Sequence, residues 1–122
     1  MKKVCRPLLW LLPLGWAGLI FYLSSQSSPV PFQVEPSWLG LWLSKLGHVV
    51  IFGVLAFLVV LAAGWKWYGY LIALVVVVAY AGFDEYHQAF TPERYPSVVD
   101  VLIDGVGGLL ALALSYFIFG SR

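Results

Sequence analysis

Two carboxylates stand four residues apart near the start of the last apolar stretch of this chain, Asp100 and Asp104. In a helix this spacing places both side chains on one face, about one turn apart. Paired carboxylates can transfer protons, bind a cation or orient a histidine. Asp104 lies deeper in the apolar stretch, and a buried carboxylate without a partner is costly, so we expect it to need a proton or a close partner.

Further polar side chains stand at the ends of the other apolar stretches. Lys45 and His48 are three residues apart and share a helical face. A second group lies at the end of the third stretch and in the turn after it, and consists of Asp84, Glu85, Gln88, Arg94 and Ser97. We predict catalytic roles for four of these residues, namely His48, Glu85, Asp100 and Asp104. We predict substrate-binding roles for the other five, namely Lys45, Asp84, Gln88, Arg94 and Ser97.

The composition indicates whether these polar side chains belong to a soluble protein or to a membrane protein. Hydrophobic residues make up 61% of the 122 residues and charged residues 11%, against roughly 45–50% and about 25% in soluble domains. So few charged side chains cannot cover a soluble domain, which indicates a membrane protein. The net charge of +1 offers no basic footprint for a nucleic acid, so we predict no nucleic-acid partner. The single cysteine excludes an internal disulfide.

Four apolar stretches are long enough to cross a bilayer, for which a helix needs about 20 residues. We place the spans at about 7–23, 46–65, 67–90 and 97–119, with an outer loop over 24–45. Backbone groups in hydrocarbon must be paired within their own segment, so each span is predicted to be helical. The sequence therefore predicts a single all-α domain, a transmembrane four-helix bundle. Gly107, Ala111 and Ser115 extend the face of Asp104 as a small-residue stripe, which suits internal packing or a homo-oligomer through helix four.

The basic residues predict the orientation of the bundle. Lys and Arg are retained on the cytoplasmic side, and five of the seven fall on one face of a four-span topology. We therefore predict that both termini are cytoplasmic and that the polar residues lie at the outer leaflet. The first span also has the basic start and short apolar core of a cleavable signal peptide. Pro13 and Gly15 within it favour a retained, packed helix.

Each polar residue also has a simpler structural interpretation. Asp100 can have no role beyond stabilising the start of a helix that follows Ser97. The hydroxyl of Ser97 would then accept a free backbone N–H of that helix. Asp84 and Arg94 can form a structural ion pair, and Lys45 can be a solvated loop charge. None of these interpretations explains why ionisable residues of three spans fall at one depth. Ionisable residues inside a membrane are costly, and they indicate a functional site unless a structural role explains them.

Three motifs carry most of these residues: Lys-x-x-His at 45–48, Asp-Glu-x-x-Gln at 84–88 and Arg-x-x-Ser-x-x-Asp at 94–100. Together with Gly107 they resemble the VanZ-like family of small bacterial membrane proteins, over about residues 45–115. Asp104 stands where that family usually has Asn, and Glu93 where it usually has Gly. The resemblance implies a multi-pass protein of the bacterial cytoplasmic membrane. The family's founding member is associated with resistance to the glycopeptide teicoplanin, and the resemblance implies a site but no reaction.

Three classes of function fit these residues. The first is binding or modification of a cell-envelope lipid or glycopeptide, in which Arg94 would hold an anionic headgroup and the carboxylates a cationic group. The second is an intramembrane acid–base enzyme acting on a lipid-linked precursor, so we leave enzyme activity open. The third is a structural or regulatory partner of another membrane protein. We predict no cofactor and no metal, although His48, Glu85 and Asp100 form an alternative metal set.

Overall fold

The computed structural model describes residues 6–25, 37–91 and 97–120. A short 3₁₀ turn, Pro7–Trp10, continues into α1 (Leu11–Ser24), and α2 (Ser37–Ala63), α3 (Trp67–Gln88) and α4 (Val98–Ser115) follow. A π-helical turn, Tyr116–Gly120, extends α4. The described residues contain no strand. Each of the four helical segments is long and apolar enough to cross a membrane, which confirms the all-α transmembrane bundle.

The second helix begins at Ser37, so the predicted outer loop over 24–45 is wrong from that residue onward. All three prolines of this region, Pro29, Pro31 and Pro36, precede Ser37. The residues that follow therefore contain no helix breaker, and the helix extends well beyond the predicted start at Leu46. Conversely, α3 ends at Gln88 rather than at Phe90. The orientation of the termini in the membrane stays a prediction.

The core of the bundle is built around α2, which packs against the other three helices. The buried side chains of α2 pack against three residues of α3 that are spaced four apart, Ala73, Val77 and Ala81. The α2 residues in this core are Phe52, Leu55, Ala56, Val59 and Val60. Four-residue spacing of small residues lets α3 approach α2 closely along one face.

The first helix joins this core through both apolar and polar contacts. Ile20 is buried, and the indole N–H of Trp16 donates to the carbonyl of Ile51 at 2.8 Å. The hydroxyl of Tyr80 donates to the carbonyl of Ala17. In a membrane, buried donors must find such partners within the protein. These contacts join α1 to α2 and α3.

Helices α2 and α4, which run in the same direction, approach each other closely at Gly107. A Cβ atom added to Gly107 would lie 2.4 Å from the carbonyl oxygen of Val49 and 2.8 Å from its Cα. Gly53 faces Gly107 and Ala111 in the same contact. The small-residue stripe of α4 is therefore used for internal packing. A homo-oligomer through helix four stays a prediction, and it would have to use another face of α4.

Candidate functional site

Two polar pairs join α2 and α4 just above this close approach. Lys45 Nζ donates to Asp100 Oδ1 at 2.7 Å, and His48 Nδ1 lies 2.9 Å from Asp104 Oδ1. Asp104 is completely buried, whereas Lys45 and Asp100 keep part of their side chains exposed. Because α2 and α4 are parallel, successive turns of α2 contact successive turns of α4. The site is thus layered, with an ion pair at its rim and a histidine–carboxylate pair beneath it.

The third helix adds Asp84, which is 2% exposed and lies among donors from two helices. The hydroxyl of Ser24, the last residue of α1, donates to Asp84 Oδ1. One turn further along α3, the amide of Gln88 donates to Asp84 Oδ2 at 3.3 Å. Thr91 completes this corner, because its hydroxyl donates to the carbonyl of Ser24 at 3.4 Å. These bonds connect the end of α1 to the end of α3.

The neighbouring carboxylate, Glu85, connects α3 to the start of α4. Its Oε2 accepts the backbone N–H of Ser97 at 2.8 Å, while the hydroxyl of Ser97 accepts the N–H of Val99 at 3.1 Å. The predicted helix cap at Ser97 is confirmed. The backbone N–H of Ser97 itself donates to Glu85 of α3 and not to Asp100. Asp100 is instead drawn to Lys45, whose charge is a stronger partner than a neutral amide.

Three of the carboxylates come close to one another in the interior. Asp84, Glu85 and Asp104 each place one oxygen within 4.8 Å of an oxygen of the other two. Among the described residues, Glu85 Oε1 and Asp104 Oδ2 are buried without a hydrogen-bond partner. With Asp100 and Lys45 included, the described part of the site has a formal charge of −3 when its histidine is neutral. Such a site favours a proton or a cation.

A cavity of about 140 Å³ lies beside this cluster, between α1 and α2. Its polar lining comes from one residue of α1, two of α2 and one of α3, namely Ser24, Ser44, His48 and Asp84. The remaining walls are apolar or bare backbone and consist of Ile20, Leu23, Leu43, Gly47, Ile51 and Phe52. The cavity therefore combines an acidic inner wall with an apolar surround.

The structure brings together eight of the nine predicted site residues, namely Lys45, His48, Asp84, Glu85, Gln88, Ser97, Asp100 and Asp104. Arg94, with the rest of the turn at 92–96, lies outside the described residues, so its predicted pairing with Asp84 stays a prediction. Among the described residues, the three whose oxygens lie close enough to hold one metal ion are Asp84, Glu85 and Asp104. The alternative set of His48, Glu85 and Asp100 does not form such a group, since His48 places its Nδ1 against Asp104 and Asp100 pairs with Lys45 at the rim.

Ser24 is a site residue that the predicted set omits. It donates to Asp84 and lines the cavity. The available signal was a pair of serines, Ser24 and Ser25, at the end of the first apolar span. A hydroxyl at that position is common at a helix end for local reasons alone, so its partner could not be read from the sequence.

Comparison with known proteins identifies one family. A family model described as VanZ/LLP1 matches residues 8–119, nearly the whole chain. No curated protein and no solved structure matches the chain.

Proposed function

Because the chain belongs to the VanZ/LLP1 family and is a multi-pass membrane protein, we propose that it binds a cell-envelope lipid of the bacterial inner membrane. The headgroup would occupy the cavity between α1 and α2, and an amine of that headgroup would face the acidic wall. The observation that carries this proposal is the cavity itself, which joins a buried carboxylate to apolar helix faces.

The charge of the site supports a cationic group as the part that is recognised. Asp84 lines the cavity, and Glu85 and Asp104 stand close behind it. An ammonium group is attracted by all three carboxylates and can donate three hydrogen bonds. Ser24 and His48 add hydrogen-bonding groups at the same wall. A purely anionic headgroup would be repelled from this wall.

The size of the cavity supports a small group. About 140 Å³ is well below the ~300–1,000 Å³ of pockets that enclose drug-sized molecules. A glycopeptide antibiotic cannot be enclosed there, whereas an amine with its linking carbons can. If the chain contributes to glycopeptide resistance, as its family suggests, it would do so through an envelope lipid. The acyl chains of that lipid would lie along the apolar faces of α1 and α2.

A glycine in the cavity wall provides a direct test. A Cβ atom added to Gly47 would meet no other atom within 4 Å, so Gly47→Leu can fill the cavity without a backbone clash. Gly82 is the matched control, since it is equally open but lies on an exposed part of α3 away from the cavity. Both substitutions replace a helical glycine, so their effects on helix propensity are alike.

Lipid retention would be measured by native mass spectrometry of the detergent-purified protein. Phosphatidylethanolamine and phosphatidylglycerol with identical acyl chains would compete, since only the first carries an amine. We expect the wild type and Gly82→Leu to retain phosphatidylethanolamine preferentially, and Gly47→Leu to lose that preference. Equal retention by Gly47→Leu and Gly82→Leu, or no preference in the wild type, would refute the proposal.

A further inference from the structure

The buried carboxylates point to a second ligand beneath the cavity. We propose that Asp84, Glu85 and Asp104 bind a hard divalent cation of the Mg²⁺, Ca²⁺ or Mn²⁺ class. Each residue offers one oxygen within 4.8 Å of the others. Ca²⁺ takes oxygen ligands at about 2.3–2.6 Å, so two ligands on opposite sides of the ion are roughly 4.6–5.2 Å apart. The three oxygens therefore already lie within the span of one coordination sphere.

Two orphaned oxygens provide independent support for an ion. Glu85 is 6% exposed and Asp104 is 0% exposed, and each keeps one oxygen without a hydrogen-bond partner among the described residues. Buried polar atoms are nearly always paired, and a carboxylate oxygen left unpaired is more costly than a neutral one. A bound cation would give such a buried oxygen the partner that the described residues do not supply.

Each carboxylate also has a hydrogen-bond partner from outside the cluster. Ser24 of α1 donates to Asp84, and the Ser97 N–H at the start of α4 donates to Glu85. His48 of α2 places its Nδ1 against Asp104. Hydrogen-bond partners of this kind orient metal ligands and are typical of built metal sites.

The donor atoms define the class of ion. All three residues supply carboxylate oxygens, which suit Mg²⁺, Ca²⁺ and Mn²⁺. Cysteine sulfur is not part of the described cluster, and the nearby histidine nitrogen is engaged with Asp104. Soft or borderline ions such as Cu⁺ or Zn²⁺ are therefore disfavoured.

The charge balance is consistent with an ion at this place. A divalent cation would change the formal charge of the described site from −3 to −1. The remaining negative charge would still attract an amine in the cavity, so ion and lipid can bind together. The ion proposal rests on the carboxylate geometry and does not need the lipid proposal to be correct.

The test uses Mn²⁺ alone as the probe. The protein would be purified in a non-ionic detergent without added phospholipid and treated with a chelator. Electron paramagnetic resonance then follows the signal of free Mn²⁺ during titration up to about 1 mM, the weak end of natural calcium sites. We expect one Mn²⁺ per chain, displaced by Ca²⁺ or Mg²⁺.

Near-isosteric variants identify the ligands. Glu85→Gln and Asp104→Asn remove a ligand charge while keeping side-chain size, and each should weaken Mn²⁺ binding by at least about tenfold. Asp100→Asn removes the rim carboxylate, which is paired with Lys45. It should weaken binding by no more than about threefold, because a partly exposed charge is screened. Circular dichroism would establish that each variant keeps its helices.

Two results would overturn the ion proposal. One is a wild-type protein that binds no stoichiometric Mn²⁺, which would mean that the carboxylates are satisfied by protons. The other is equal binding by the wild type and by folded Glu85→Gln and Asp104→Asn. Gly47→Leu, which tests the lipid, should bind Mn²⁺ as the wild type does. The two proposals can therefore fail separately.

Discussion

Substituting Gly107 by alanine should open the contact that brings α2 and α4 together. The added Cβ would stand 2.4 Å from the Val49 carbonyl oxygen and 2.8 Å from its Cα. Both atoms belong to backbone, so no side-chain rotation can relieve the clash. The helices must separate by roughly 1 Å to reach normal contact distance, since carbon–carbon contacts are optimal near 3.5–4.0 Å.

That separation determines the size of the effect. Overpacking of a core typically lowers the free energy of unfolding by about 1–3 kcal/mol. We expect a loss in the upper part of this range for Gly107→Ala, because whole helices must move. The bond from His48 to Asp104, now 2.9 Å long, lies close to the contact and would stretch beyond hydrogen-bonding distance. Gly107→Ala should therefore weaken both the fold and the polar site.

The measurement compares two neighbouring glycines of α4. A Cβ atom at Gly105 would meet nothing within 4 Å, so Gly105→Ala should be neutral or should stabilise the helix by about 0.5–1 kcal/mol. Thermal unfolding in one detergent should give a clearly lower midpoint for Gly107→Ala and an unchanged or higher one for Gly105→Ala. Equal midpoints would refute the close packing of α2 and α4 and, with it, the register of the polar pairs.

Three further predictions concern the rim, the helix cap and the topology. A double-mutant cycle of Lys45→Met and Asp100→Asn should show a coupling of about 1 kcal/mol in the free energy of unfolding, as expected for a partly exposed ion pair. Additive effects of the two substitutions would contradict the ion pair. Ser97→Ala should destabilise the protein by about 1 kcal/mol through loss of the helix cap, whereas Ser97→Thr should retain most of the stability. Alkaline phosphatase fused after Trp38 should be active outside the membrane and fused after Gly64 inactive, and the reverse pattern would contradict the predicted orientation.

The architecture of this protein follows largely from local properties of the sequence. The length and apolarity of the four stretches are sufficient to predict four spanning helices, because the membrane leaves the backbone few alternatives. The start of α2 is harder to predict. Pro29, Pro31 and Pro36 indicate a loop, but no residue after them shows where that loop ends and the helix begins. Helix ends depend on single capping interactions and are the least predictable part of an element.

The site could be predicted in its location but not in its pairings. Helical spacing is enough to place Asp100 and Asp104 on the inner face of α4. Which basic group reaches each carboxylate depends on the register of α2 against α4, which Gly107 determines through a contact distant in sequence. The same limit applies to Ser24, whose partner lies 60 residues away. Local patterns identify the groups that must be buried, and tertiary packing decides which of them meet.

Separate spans bring ionisable side chains into one buried cluster, and the contact between His48 and Asp104 is the part of this cluster that can be measured in a bilayer. Solid-state NMR in bilayers can measure dipolar coupling between ¹⁵N in the histidine rings and ¹³C in the aspartate carboxyl groups. His87→Gln leaves His48 as the one labelled histidine, and Asp104→Asn removes the assigned partner. The structure predicts strong coupling in the His87→Gln protein that disappears when Asp104→Asn is added. Absence of coupling in the His87→Gln protein, or coupling that survives Asp104→Asn, would contradict the cluster.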